Sequence, residues 1–170
     1  EDGKKGPMDS CGADIARGGR AQTVISTRHG QWYAPLKAFP GATTPDGATS
    51  AGLILSCVRN AAPIHVDVIN VGGSVVDHLR SNDVQVVAVN GAAAAPLGVT
   101  DKASRSLKFI NMRAWLHWRL REALDPKTGN NIALPPDAEL KADLCAPHWS
   151  LTPRGIQIES KDQLIHGPRL

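Results

Sequence analysis

Apolar residues in the first forty positions alternate with polar ones or form short runs, patterns that are typical of β-strands. They predict a strand over Gly12–Ala16, a second over Ala21–Thr27 and a third over Gln31–Phe39. Short glycine-containing turns separate the three segments. Because turns of this length join antiparallel neighbours, we expect a three-stranded meander.

The next segment alternates between helical and strand patterns. We expect Asp46 to cap a helix over Ala48–Asn60, since apolar residues recur there at helical spacing. A strand over Ile64–Ile69, a helix over Gly73–Ser81 and a strand over Val84–Val89 follow. This β-α-β order implies parallel pairing of its two strands.

The remaining chain is less regular. Residues 90–106 are rich in alanine and carry Pro96 and Gly98, which predicts a long surface loop. A helix is expected over Asn111–Leu124. Its predicted apolar stripe consists of Met112, Leu116, Leu120 and Ala123. Further expected elements are a helix from Asp137 to about Leu144, a strand over Gly155–Ser160 and the start of a helix over Lys161–Leu164.

This succession of elements is the one expected of an RNase H-like fold. We therefore expect an α/β protein with a mixed sheet, in which an antiparallel three-strand meander is joined to parallel strands and flanked by helices. At 170 residues, one domain is expected. The predicted division is a partly flexible leader over residues 1–11, a single domain over 12–165 and a tail over 166–170.

The composition is that of a globular protein, with 42% hydrophobic and 21% charged residues. No apolar run approaches the ~20 residues that a membrane span needs, and no signal segment opens the chain, so we expect a soluble intracellular protein. Cys11, Cys57 and Cys145 are odd in number and widely spaced. This spacing argues against a disulfide framework or a zinc knuckle and favours buried thiols.

Two aspartates stand out because each lies in an apolar strand segment that ends in glycines. Asp14 belongs to the segment Gly12–Gly19, and Asp67 belongs to His65–Gly73. An acid in an apolar strand is costly to bury unless it is paired or bound to a metal, and carboxylate oxygens are ligands that Mg²⁺ prefers. Because the two aspartates are predicted on adjacent strands of the sheet, we expect both carboxylates on one face, separated by roughly 4 to 7 Å.

The formal net charge of +3 is modest, but basic residues concentrate in one segment. Lysines and arginines cluster within the twenty residues 102–121, which Asp101 and Glu122 flank as the only nearby acids: Lys102, Arg105, Lys108, Arg113, Arg119 and Arg121. Such a cluster suits contact with phosphates, while the solvated side of a loop and helix is the alternative interpretation. The candidate DNA contacts are Arg105, Lys108, Arg113 and Arg121.

Several short motifs from Gly12 to Asp162 carry a resemblance through their order and spacing, although none of them is specific alone. They are Asp14–Gly19 with Thr23–Ile25, Pro40–Gly41 with Thr44–Gly47, Val66–Ile69 with Val71–Gly72, Asn111–Ala114 with Trp118–Ala123, Ile132–Pro135 and Glu159–Asp162. Together they resemble the nuclease domain of the bacteriophage large terminase subunit.

The resemblance implies a two-metal DNA endonuclease that cuts concatemeric phage DNA during packaging, in the cytoplasm of a bacterial host. Asp14 and Asp67 would correspond to the first and second metal-binding acids, with Mg²⁺ or Mn²⁺ as cofactor and double-stranded DNA as substrate. In the full-length family context, the small terminase subunit and the portal are further implied partners, and a membrane is not. We do not expect the ATPase half of the family in these 170 residues, because no G-x-x-x-x-G-K-[ST] motif occurs among them.

Three departures from the family pattern affect the predicted activity. A third acid normally follows in a serine-proline-aspartate context, where this chain reads Gln163–Leu170; a supporting acid is replaced by Arg20–Gln22; and Asn70 replaces a glycine. We expect a C-terminally shortened nuclease domain with impaired cleavage. The alternatives are an inactive prophage remnant that binds DNA weakly, and a nucleotide-binding regulatory domain that uses the glycine turn after Ile69.

Overall fold

The structure is a computed structural model that describes residues 6–18, 20–69, 71–128, 130–160 and 163–164. The chain folds into two compact units. Unit 1 comprises the described residues up to Asn90 together with Ile132–Pro135, and unit 2 comprises the remainder. No helix in the described ranges is long and apolar enough to cross a membrane. The predicted tail and residues 161–162, the first half of the helix expected over Lys161–Leu164, lie outside the described residues.

Unit 1 is built on a mixed sheet whose order is β3-β2-β1-β5-β6, with β4 also paired to β2. Its strands are β1 (Ser10–Asp14), β2 (Gln22–His29), β3 (Trp32–Tyr33), β4 (Lys37–Pro40), β5 (Ile64–Asp67) and β6 (Val86–Val89). Strand β2 pairs antiparallel with β1, β3 and β4, whereas β5 pairs parallel with β1 and β6. The predicted meander and the predicted parallel pairing are both confirmed.

The third strand of the meander differs from the prediction. The expected strand Gln31–Phe39 is divided into β3 and β4 by residues 34–36. Pro35 lies at the centre of this interruption and has no amide hydrogen to donate to the ladder of β2. The two short strands therefore pair with opposite ends of β2.

Helices α1 (Gly47–Cys57) and α2 (Gly72–Ser81) pack against the sheet. The predicted N-cap is confirmed, because the Asp46 carboxylate accepts a hydrogen bond of 2.7 Å from the Thr49 amide. The core joins alternate strand residues to helix residues, including Cys11, Ala13, Ile64 and Val66 from the sheet and Ile54, Val75 and Leu79 from the helices. The strand residues between them face away from the two helices.

The chain joins this core earlier than the sequence predicted. Strand β1 begins at Ser10, and Met8, which the sequence assigned to the leader, is only 7% exposed. Cys11 and Cys57 are buried as expected, and burial raises the pKa of Cys11 to about 11. Cys145 is exposed, so the expectation of a buried thiol is wrong at that position.

Unit 2 contains helices α3 (Met112–Leu124) and α4 (Ala138–Cys145) and a two-stranded antiparallel sheet of β7 (Trp149–Thr152) and β8 (Gly155–Ile158). Its small core consists of Phe109, Ala114, Trp118 and Ile156. The predicted helix from Asp137 to about Leu144 is confirmed as α4, and Asp137 caps it by accepting hydrogen bonds from the amides of Glu139 and Leu140. Strand β7 was not predicted.

The apolar stripe predicted for α3 is wrong. Ala114, Trp118 and Glu122 are the buried residues of this helix, whereas Leu116 is 40% exposed. Glu122 can be buried because the Arg119 guanidinium donates to its carboxylate at 2.7 Å. The buried face of this helix therefore includes a charged residue and lies beside the predicted stripe rather than along it.

Candidate metal site and nucleic-acid interface

Asp14 and Asp67 are the last residues of two adjacent parallel strands. The register pairs Ala13 with Val66, so the two aspartates follow one step further along β1 and β5. Since Ala13 and Val66 face the helices, the alternation of strand side chains places both carboxylates on the opposite face. Neighbouring strands are about 4.8 Å apart, a spacing suited to two ligands of one cation.

The two carboxylates have different surroundings. Asp14 is exposed, whereas Asp67 is half-buried and accepts a hydrogen bond of 2.9 Å from the Ile69 amide through Oδ1. His65 precedes Asp67 by two residues on the same face. No group of three or more potential metal-ligating side chains occurs within the described ranges. Two hard oxygen donors still match the ligand preference of Mg²⁺ and Mn²⁺.

The turn after Asp67 depends on Gly72. A Cβ atom at this position would collide with the carbonyl oxygen of Asp67, so only glycine lets α2 begin so close to the end of β5. A Cβ atom at Gly73 would meet nothing within 4 Å. This packing requirement explains Gly72 without a ligand and favours a structural turn over the nucleotide-binding alternative.

The predicted DNA contacts lie in unit 2 and are not equivalent. Arg105, Lys108 and Arg121 are exposed, and the Arg121 guanidinium lies 4.6 Å from the centre of the Trp118 ring. The half-buried Arg113 instead donates hydrogen bonds of 3.1 and 3.0 Å to the Glu159 carbonyl. The protein thus holds the Arg113 side chain in place, and DNA contact by this residue stays a prediction.

No family model and no curated protein matches this sequence. Solved structures do match it. The nuclease domain of the large terminase subunit gp2 of bacterial virus Sf6 has a TM-score of 0.68 at 13% identity, over 94% of this chain and 80% of that one. The large terminase nuclease from thermophilic phage G20c with bound magnesium has a TM-score of 0.55 at 15% identity, over 95% of this chain and 77% of that one.

The nuclease domain of the Thermus phage P74-26 large terminase also matches, with a TM-score of 0.53 at 15% identity, over 94% of this chain and 73% of that one. The chain has the fold of a large terminase nuclease domain. The RNase H-like fold class expected from the order of elements is thereby confirmed.

Asp14 and Asp67 lie on adjacent strand ends of this fold. Of the three predicted departures from the family pattern, only the one at Arg20–Gln22 falls wholly among the described residues. Arg20 and Gln22 are exposed near the start of β2. Asn70 and residues 165–170 lie outside the described residues, so the expectations for the turn and for the third acid stay predictions.

Sequence reasoning missed a buried threonine pair that fixes the chain after Asp14. The Thr23 hydroxyl accepts from the Ala16 amide at 3.0 Å, and the Thr44 hydroxyl donates to the Ala16 carbonyl at 2.8 Å. The hydroxyl oxygens of Thr23 and Thr44 are themselves 2.8 Å apart. The only sequence signal was the presence of both threonines in the motifs that carry the terminase resemblance.

Replacing Thr23 by valine is expected to lower the free energy of unfolding by about 1 to 3 kcal/mol, because the buried Ala16 amide loses its acceptor. Urea unfolding followed by circular dichroism measures the loss. Thr27→Val is the matched control, since Thr27 is buried on the same strand and no hydrogen bond of its hydroxyl occurs within the described part of the chain. Equal losses in the two variants would contradict this account.

Proposed function

We propose that this chain is a metal-dependent DNA endonuclease domain that cuts concatemeric phage DNA during genome packaging. The observation that carries the proposal is the placement of Asp14 and Asp67 side by side on one face of a sheet with the terminase nuclease fold. In the packaging machinery of a bacterial host, the small terminase subunit and the portal would be its further partners.

Asp14 and Asp67 would hold Mg²⁺ or Mn²⁺, because carboxylate oxygens are hard ligands that match these ions. Solved terminase nucleases with the same fold contain manganese in Sf6 and magnesium in G20c. When bound, a divalent cation supplies activation of water and stabilisation of the leaving oxygen in phosphodiester cleavage. The Ile69 amide holds Oδ1 of Asp67, which fixes the orientation of the carboxylate before a ligand arrives.

The proposed substrate is double-stranded DNA, which the protein would contact through phosphates. Arg105, Lys108 and Arg121 present exposed cations, and Arg113 completes the set proposed from the sequence. The half-buried His117 does not add to this charge at neutral pH, because burial and the nearby Arg113 lower its pKa. Contacts of this kind give affinity without sequence preference.

Nicking of supercoiled plasmid tests the proposal. We expect conversion to the relaxed form in Mn²⁺ or Mg²⁺ and none in EDTA. The alternative function is a DNA-binding module without cleavage, which is favoured by the small number of carboxylates in the described site. DNA binding without nicking at any metal concentration would establish that alternative, and the absence of both would overturn the proposed function.

Replacing Arg105 and Lys108 together by alanine is expected to weaken DNA binding in a salt-dependent way. Each phosphate contact contributes about 0.9 to the slope of log affinity against log salt, so the double variant should lower the slope by up to about 1.8. Fluorescence anisotropy with a labelled duplex over a NaCl series measures the slope. Lys127→Ala, which removes an exposed cation outside the loop, is the control; an unchanged slope in the double variant would refute these contacts.

A further inference from the structure

A loop in unit 2 arranges exposed cations around a buried carboxylate. Lys102, Arg105 and Lys108 are exposed, whereas Asp101 is 3% exposed. We call residues 101–108 the basic loop. Within the ranges that the structure describes, none of its three cations takes part in an ion pair. The acid of the loop is thus turned inward, and its basic side chains are turned to solvent.

The Asp101 carboxylate accepts four hydrogen bonds from the basic loop itself. The donors are the amides of Ser104, Ser106 and Leu107, at 2.6, 3.3 and 3.0 Å, and the Ser104 hydroxyl, at 2.7 Å. Burial alone would raise the pKa of Asp101, but hydrogen bonds from Ser104, Leu107 and Ser106 outweigh burial and lower the pKa to about 2. The carboxylate is therefore charged at neutral pH.

Both ends of the basic loop are anchored to regular structure. At its start, the Lys102 amide donates to the Glu122 carboxylate of α3 at 2.7 Å. At its end, the Ile156 amide of β8 donates to the Lys108 carbonyl at 2.8 Å. The buried acids Asp101 and Glu122, together with β8, therefore hold the backbone of the loop, while its lysine and arginine side chains remain exposed.

Arg105 adopts a backbone conformation that favours glycine, with φ at +57°. An arginine there costs conformational energy that glycine would not, and such strain persists only where the surroundings hold it in place. The Arg105 amide donates to the Asp101 carbonyl at 3.1 Å, which contributes to holding it. The strained position carries an exposed cation on a fixed backbone.

We propose that the basic loop is a preorganised contact for the phosphate backbone of duplex DNA, and that Asp101 is its positioning residue. The inference rests on the proposed function, because it assigns DNA contact to a particular loop and explains how that loop is held. Loops that are already ordered before binding lose less conformational entropy on association. The partner follows from charge complementarity: three cations face outward, and the one carboxylate of the loop, that of Asp101, is satisfied within the protein.

The variant Asp101→Asn distinguishes preorganisation of the loop from a simple effect of charge, because the two predict opposite changes in DNA affinity. Removing a negative charge beside three cations should by itself strengthen DNA binding. The asparagine NH2 group, however, cannot replace the Oδ2 atom that accepts from the Ser104 amide, so the loop should loosen. We expect affinity for a fluorescein-labelled duplex to fall at least about threefold at each NaCl concentration. The salt slope should stay unchanged, because the three cations remain.

Two further variants keep the result decisive. Asp143→Asn removes the same charge from exposed α4 and should leave affinity unchanged or slightly higher. Ser104→Ala deletes one hydrogen bond to Asp101, keeps every charge, and should weaken binding less than Asp101→Asn. Circular dichroism checks that each variant folds. If Asp101→Asn does not fold, the affinity of Ser104→Ala decides whether the hydrogen bonds to Asp101 contribute to DNA binding.

Each outcome identifies what has failed. If the wild-type protein binds DNA through Arg105 and Lys108, yet Asp101→Asn and Ser104→Ala bind as tightly as wild type or more tightly, the positioning role of Asp101 is overturned while the proposed function stands. If the wild-type protein does not bind DNA, the proposed function and this inference are overturned together.

Discussion

Asp67→Asn is expected to reduce metal-dependent nicking of supercoiled DNA by about 10² to 10³, the size of effect seen when one electrostatic contact at a reacting oxygen is removed. The substitution removes a charged ligand from a site with only two described carboxylates, so cation binding should weaken sharply. The fold should persist, because the asparagine side-chain oxygen can still accept the hydrogen bond from the Ile69 amide.

A second readout of the same variant does not depend on activity. A cation that binds the folded protein raises its thermal unfolding midpoint. The midpoint of the wild-type protein should therefore be higher in Mn²⁺ than in EDTA, whereas the midpoint of Asp67→Asn should be the same in both. Asp77→Asn is the matched control, because Asp77 is an exposed acid on α2 rather than at a strand end. If both variants nick DNA and respond to Mn²⁺ equally, Asp67 is not a metal ligand.

Gly72→Ala is expected to lower the free energy of unfolding by about 3 kcal/mol or more, among the larger effects of a single substitution. The added methyl group would collide with the backbone carbonyl of Asp67, so the start of α2 or the end of β5 must shift. Because that strand end carries Asp67, Mn²⁺ stabilisation should fall together with stability. Chemical unfolding with and without Mn²⁺ measures both effects.

Gly73→Ala is the matched control for this prediction. Gly73 lies in the same first turn of α2, and an added Cβ atom would meet nothing within 4 Å. Alanine is the better helix former by up to about 1 kcal/mol, so this variant should be as stable as wild type or slightly more stable. Similar destabilisation by both substitutions would show that helix geometry, rather than the contact with Asp67, requires glycine.

The local pattern of the sequence determined most elements of unit 1 and the positions of its two aspartates. Periodicity and capping depend on neighbours within a few residues, which is why α1 with its Asp46 cap and the parallel pair of β5 and β6 were predictable. The same locality explains the error over Gln31–Phe39, because the strand-like pattern continues through Pro35, which has no amide hydrogen to donate to the ladder.

Only the tertiary structure decided which polar side chains are buried and which groups they contact. Asp101 and Glu122 are charged residues that local patterns place on the surface, yet both are buried, because Glu122 meets Arg119 and the Lys102 amide, and Asp101 meets loop amides. The register of β1 and β5 brings Asp14 beside Asp67, although the two residues are 53 positions apart in the sequence. Contacts between residues so far apart are absent from any local pattern, since burial of a charge depends on partners that only the folded chain supplies.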